Sequence, residues 1–340
     1  MIGRNRVLTL IVSAVGVGLF LLFGWPLPFL LGPMAACLIC ALAAVPLQSM
    51  GLVGRFMRTF LGVAIGTSIT PEIVGELHGF AFSLAMIPFL TLLLAFVGFR
   101  LFRIMGFDRQ TSLYASLPGG LQEMLMLGEG AGGNVRAMSL IHATRVLALF
   151  ALVPIVITLV WDVDLSNPPG RPASSLPPHE IALMIATGLI GWKLAALLRI
   201  PGPSLLGPAL LAMTLSLTGF INSRPPTEIM VVAQFFIGLA VGVRYSGITL
   251  SELRRFVFAG ILYSLITALL SAAFFLAVLS VLGLPPIDIL LAFLPGGQAE
   301  MAIIAIVAGA DVPFVIAHHF LRIMVVLLVA QIMSGWLKRL

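Results

Sequence analysis

Apolar runs of 16 to 27 residues recur along the whole chain, separated by short loops that hold most of its charges. An α-helix needs about 20 apolar residues to cross a hydrocarbon core of about 30 Å, so each run is read as a membrane helix or a buried segment. The runs fall near 6–24, 28–47, 55–70, 79–101, 111–133 and 136–161, and again near 180–198, 204–221, 228–244, 256–282, 287–309 and 312–337. The pattern predicts an all-α polytopic membrane protein.

Composition strengthens that reading. The 340 residues are 60% hydrophobic and only 9% charged, with mean hydropathy +1.14, whereas soluble domains carry about 25% charge. No polar block is large enough for a soluble domain. The net charge of +6 comes from basic residues scattered singly in loops, as topology determinants are, so no nucleic-acid partner is expected; the lipid bilayer is the surrounding partner. The N-terminal run ends in "FGWPLP" without small cleavage-site residues and reads as a retained first span. Cys37 and Cys40, three apart in an apolar run, read as packing residues.

The chain echoes itself at a shift of about 176 residues. "LPFLLGPMAA" at 27–36 returns as "GPSLLGPALL" at 202–211, and "FLGVAIG" at 60–66 returns as "FIGLAVG" at 236–242. "LPGGLQEM" at 117–124 returns as "LPGGQAEM" at 294–301, after which Glu123 aligns with Glu300, His142 with His319 and Arg145 with Arg322. The organisation is therefore membrane repeat 1 (1–161), a proline-rich external linker (162–179) and membrane repeat 2 (180–340).

The fifth run of each repeat carries PGG in its middle. If these runs cross plainly, the repeats have six crossings and lie parallel; if they re-enter as hairpins, the repeats have five crossings and are inverted. With hairpins, 15 of the 17 lysines and arginines outside Arg145 and Arg322 lie on the cytoplasmic side; with plain crossings, 11 do. Positive residues favour the cytoplasm, so about ten transmembrane helices, two PGG-broken or re-entrant hairpins and cytoplasmic termini are expected.

Inverted repeats broken at matching places are a transporter signature, because half-helix ends at the midplane bind substrate or ion. Pro118, Gly119 and Gly120, with Pro295, Gly296 and Gly297, open the chain to close approach. Gln122, Glu123, Gln298 and Glu300 follow in the first turn of the next helix. There a glutamate either caps the helix or takes part in coupling and substrate contact. His142 with Arg145, and His319 with Arg322, share helix faces at a spacing of three. A rise of about 1.5 Å per residue from the helix start puts each arginine roughly 15 Å deep, too far to snorkel. Two readings follow: structural ties between arginine and glutamate, or one cavity in which the arginines bind an anion while a glutamate or histidine carries the coupled proton. Unmatched His318 reads as a packing or secondary hydrogen-bonding residue, Asp288 and Asp311 as solvated membrane-edge residues, and the LLGP and Gly-x-x-x-Gly stretches as close helix contacts.

With LLGP at 30–33 and 205–208 and LPGG-x-x-EM at 117–124 and 294–301, the chain resembles the AbrB family of bacterial membrane proteins across nearly its whole length. That family is distinct from the soluble DNA-binding regulators of the same name. The resemblance implies a duplicated membrane domain in the bacterial inner membrane, under two labels: regulator of gene expression and ammonia monooxygenase. A monooxygenase needs a metal-ligand set, and an arginine one turn from each aligned histidine would repel a metal cation, so no enzyme activity, metal or cofactor is expected. The expectation is a proton- or ion-coupled transporter of a small anionic solute; a membrane-embedded sensor or indirect regulator without transport is the alternative. Similar architectures also suggest a homodimer.

Overall fold

A computed structural model describes residues 3–69, 77–166, 170–200 and 202–337. The acidic stretch "TPEIVGELH" at 70–78, which the hairpin topology puts in an external loop, falls mostly outside them. Repeat 1 forms α1 (Arg4–Leu22), α2 (Pro28–Leu42), α3 (Leu52–Gly66), α4 (Ala81–Ile104), α5 (Arg109–Ser116), α6 (Leu121–Gly130) and α7 (Val135–Trp161). Repeat 2 forms α8 (Pro178–Leu197), α9 (Pro203–Leu217), α10 (Thr227–Gly242), α11 (Phe258–Leu282), α12 (Pro286–Phe293), α13 (Gln298–Val307) and α14 (Val312–Leu337). No strand occurs among the described residues. Among the described residues, seven helical stretches are long and apolar enough to cross a membrane: those of α1, α4, α7, α8, α10, α11 with its leading turns, and α14. At 15 residues each, α2 and α9 rise only about 22 Å, which is short for a 30 Å core.

The chain forms two compact units that cut across the sequence halves, each drawing equivalent helices from both. Unit 1 (1–76, 153–248 and 302–313) contains α1–α3 and α8–α10; unit 2 (77–152, 249–301 and 314–340) contains α4–α6, most of α7, α11, α12 and most of α14.

Unit 1 is held by glycines that let backbones touch. Gly62 and Gly66 of α3 face the carbonyls of Leu205 and Ala209 of α9; Gly238 and Gly242 of α10 face those of Leu30 and Met34 of α2. A Cβ at any of the four would overlap a carbonyl oxygen, so the Gly-x-x-x-Gly pairs are close-contact seams between the halves. Each step of four residues along one helix matches a step of four along its partner. Both pairs therefore run parallel, and each repeats the other under the internal duplication. Within each repeat, Gly16 meets Gly32, and Gly191 meets Gly207, backbone to backbone. Pro28 and Pro203 start α2 and α9 at N1, where no intrahelical donor is lost. Cys37 is buried in this packing, its Sγ 3.2 Å from Ser13 Oγ.

In unit 2, the helix α11 packs on α4 through Gly98, against which the Tyr263 ring lies. Gly260 lies against Thr144 and the Ile141 carbonyl of α7. A short α-turn (Leu250–Glu252) and a π-helical turn (Leu253–Val257) lead into α11. Thr249 and Glu252 form a capping box there, and Arg136 Nε reaches Glu252 Oε1 at 2.9 Å. Asp288, expected at a solvated edge, sits instead in the first turn of α12 with only 7% of its surface exposed. The packed helices around α12 shield it; position along an apolar run did not reveal that.

Candidate functional site

The break in each fifth run follows from local sequence. The residue before a proline is driven out of the helical region, and Leu117 (ψ 122) and Leu294 (ψ 120) are accordingly extended, ending α5 and α12. The chain then turns tightly, Gly119 N donating to Leu117 O and Gly296 N to Leu294 O, each at 2.9 Å. Gly119 is needed for approach, since a Cβ there would lie 2.7 Å from Val326 Cγ1 of α14. After the turn α6 doubles back along α5. Asn134 N donates to Thr111 Oγ1 at 2.8 Å, and Gly128 lies against Tyr114. A segment continuing straight would hold Thr111 and Asn134 tens of ångströms apart. The first PGG run is thus a helical hairpin with residues 117–120 at its tip.

Glu123 and Glu300 occupy the third position of α6 and α13 and fold back onto the glycine before the helix, where a Cβ on Gly120 or Gly297 would overlap the carboxylate. That is the N3 placement of a capping glutamate, favoured by the unsatisfied amides and dipole of a helix start. Glu300 is buried at 6% exposure, while Glu123 and Gln298 are partly exposed. Gln122 lies in the first turn of α6, and its side chain is outside the described residues.

The histidines and arginines are buried in α7 and α14. His142 Nε2 lies 2.9 Å from the carbonyl of Tyr114, and His319 Nε2 lies 2.8 Å from that of Leu291, its equivalent in the other repeat. A carbonyl only accepts, so Nε2 carries the proton in both. Arg322 Nη2 donates to His319 Nδ1 at 2.7 Å. A guanidinium only donates, so His319 is the neutral Nε2–H tautomer with both nitrogens engaged.

Arg145 and Arg322 are each 2% exposed. Arg145 reaches the hairpin tip, with Nη1 3.4 Å from Leu117 O, and borders the Tyr263 hydroxyl. Arg322 stands one turn before Val326, which packs on Gly119 of the same tip. Among the described residues neither arginine forms an ion pair with a carboxylate, so the expected arginine–glutamate tie is not the arrangement found. Arg145 Nε, Arg322 Nε and Arg322 Nη1 have no hydrogen-bond partner among those residues. Arg145 thus reaches the tip of hairpin 1, and Arg322 is tied through His319 to the Leu291 carbonyl of α12, while the glutamates stay at their helix starts.

One group was missed by sequence reasoning. Tyr263 is buried with its hydroxyl between the carbonyls of Ser116 and Leu94, tying α11 to the end of α5 beside Arg145. The available signal was a tyrosine inside an apolar run followed by Thr267 and Ser271 at helical spacing, all buried. His318, read from the sequence as a packing or secondary hydrogen-bonding residue, does bridge two helices, its Nδ1 2.7 Å from Phe314 O and its Nε2 2.8 Å from Ser83 Oγ. Removing the hydroxyl in Tyr263→Phe leaves the Ser116 carbonyl unsatisfied, and we expect a loss of about 1–2 kcal/mol, read as a lower thermal midpoint in detergent. An unchanged midpoint would mean the hydroxyl is not part of the tie.

Comparison with known proteins matches residues 29–338 to the family described as transition state regulatory protein AbrB. The chain is 27% identical to "Uncharacterized protein YhjN" of Bacillus subtilis (strain 168), the match covering 93% of this chain and 88% of that protein. It is also 27% identical to "Putative regulator AbrB" of Escherichia coli (strain K12), covering 99% of this chain and 96% of that protein. With a repeated set of apolar helices, two PGG breaks and a family match over nearly its whole length, the chain belongs to the AbrB family.

Proposed function

We propose that this protein is a secondary transporter of the bacterial inner membrane that moves a small anionic solute, coupled to a proton or another ion, and is not an enzyme. The observation that carries the reading is the pair of buried arginines, one from each repeat, with no carboxylate partner among the described residues. A buried cation costs several kcal/mol unless compensated. A protein that buries two, with guanidinium nitrogens unengaged among the described residues, is built to receive negative charge there.

The backbone supports the same reading. The first hairpin folds back, so the fifth run of repeat 1 is not a plain crossing. The third helix of one repeat runs parallel to the second helix of the other in both seams of unit 1. If successive helices α2 and α3 alternate in direction, equivalent helices of the two repeats run oppositely. These features support the proposed inverted repeats with cytoplasmic termini, about ten crossings and two hairpins, an architecture in which midplane breaks form a transport site. The word "regulator" in a relative's name fits this reading if the effect on gene expression is indirect, through the solute moved.

The test is uptake and counterflow of a panel of labelled small anions by proteoliposomes, with and without a pH gradient. Saturable flux in the wild type is expected to fall at least ~100-fold in Arg145→Met and Arg322→Met, the order expected when a buried charge-assisted contact of about 3 kcal/mol is lost. Anion binding without flux would favour the sensor reading; flux unchanged in both variants would remove the arginines from the site.

A further inference from the structure

Building on the transporter reading, we propose that the anion bound in unit 2 is divalent, one negative group meeting Arg145 and the other meeting Arg322. The charge count comes first. Both guanidiniums are buried, Arg145 on the Leu117 carbonyl of the hairpin tip and Arg322 one turn before Val326, which packs on Gly119 of that tip, and among the described residues neither has a carboxylate within ion-pair distance. The two glutamates that could have compensated them fold instead onto Gly120 and Gly297, at the starts of α6 and α13. The site therefore presents two positive charges. A monovalent anion would leave one of them buried and uncompensated, the costly state for a desolvated charge.

The symmetry of the donors comes second. Arg145 and Arg322 stand at equivalent positions of the repeats, each three residues after a histidine held by the carbonyl of an equivalent residue, Tyr114 or Leu291. Each guanidinium spends only part of its donor set on the protein. Arg145 gives Nη1 to Leu117 O, and Arg322 gives Nη2 to His319 Nδ1. Nε of both, and Nη1 of Arg322, remain unengaged among the described residues. Planar donor forks of this kind match carboxylate and oxyanion geometry. Two similar forks related by an internal duplication suit a ligand with two similar anionic ends, a short dicarboxylate, better than one charged end and an apolar tail. A compact inorganic dianion has the same total charge and differs only in how far its charge is spread.

The experiment uses full-length protein at neutral pH, where both carboxyls of a dicarboxylate are ionised. Thermal stabilisation and counterflow are compared for skeleton-matched pairs, succinate with butyrate and malonate with propionate, with sulfate as the compact dianion. Dianions are expected to act at concentrations at least ~100-fold below their monoanionic partners, because a site built around two charged donors rejects a ligand that leaves one unpaired. In Arg322→Met that preference should collapse, the monoanions gaining relative to the dianions. Sulfate acting as well as succinate would assign a single compact dianion and retain the charge count. Equal or better action by butyrate and propionate would overturn the divalent assignment while leaving the anion carrier intact. No response to any anion would overturn both.

Discussion

Gly62→Leu and Gly238→Leu are each expected to abolish accumulation of folded protein, whereas Gly54→Leu and Gly18→Leu leave it unchanged. At Gly62 the new side chain starts on top of the Leu205 carbonyl, and at Gly238 on that of Leu30. Both obstacles are helix backbone, which cannot swing aside as a side-chain tip does, so the seam must open. Overpacking a tight interior costs roughly 1–3 kcal/mol when side chains can adjust; forcing two backbones apart puts each variant at or above ~3 kcal/mol, a large share of a typical total stability of 5–15 kcal/mol. Nothing lies within 4 Å of a Cβ added at Gly18 or Gly54, and Gly54 shares α3 with Gly62, so helix propensity alone predicts no difference between 54 and 62. Monodispersity after detergent extraction, with a thermal midpoint where protein survives, separates the two sets. Equal behaviour at the four sites would mean that the α3–α9 and α2–α10 seams are looser than described. Because the contacts are equivalent under the duplication, Gly62 and Gly238 should also respond alike; a strong asymmetry would break the equivalence of the repeats.

Much of this organisation was legible in the sequence because its causes are local. Proline and paired glycine break a helix wherever they stand, so the interruptions at Leu117–Gly120 and Leu294–Gly297 could be placed to the residue. The duplication revealed which residues play equivalent parts, and depth along a helix sufficed to bury Arg145 and Arg322. Partners across space were not legible. Pairing buried arginine with glutamate is the least costly rule from composition alone, but Glu123 and Glu300 fold back onto the glycines that start their own helices, a local placement available as soon as the helix forms. Backbone carbonyls carry no sequence signature, so the His142–Tyr114 and His319–Leu291 bonds were invisible. Tyr263 escaped because nothing at the equivalent position of repeat 1 repeats it: an offset of 177 places Met86 there. The division into two units was hidden for a related reason. It groups helices from both halves, and the duplication draws the eye to halves.

The same arginines give a second large effect, in which stability and function move in opposite directions. Arg322→Met is expected to raise the thermal midpoint of the ligand-free protein while removing its response to anions. Methionine is unbranched and apolar and fills much of the space of the arginine stem, so the change removes a buried charge without opening a large cavity. Against this stands the lost bond to His319 Nδ1, worth about 1 kcal/mol. Replacing buried ionic groups by apolar ones of similar size is often stabilising by 1–4 kcal/mol, so a net gain of about 1–2 kcal/mol is expected, a rise of a few degrees for a chain of this size. The sign is what decides. Were Arg322 one half of a structural ion pair, removing it would strand a buried carboxylate and cost about 3–5 kcal/mol. A midpoint that rises with loss of anion-induced stabilisation marks an arginine kept at the expense of stability for the ligand it binds, as functional sites often are; a midpoint that falls by several degrees identifies a tie instead. Arg145→Met should show the same sign with a smaller gain, because that guanidinium also borders the Tyr263 hydroxyl and the Leu117 carbonyl at the hairpin tip, and releasing both offsets more of the relief.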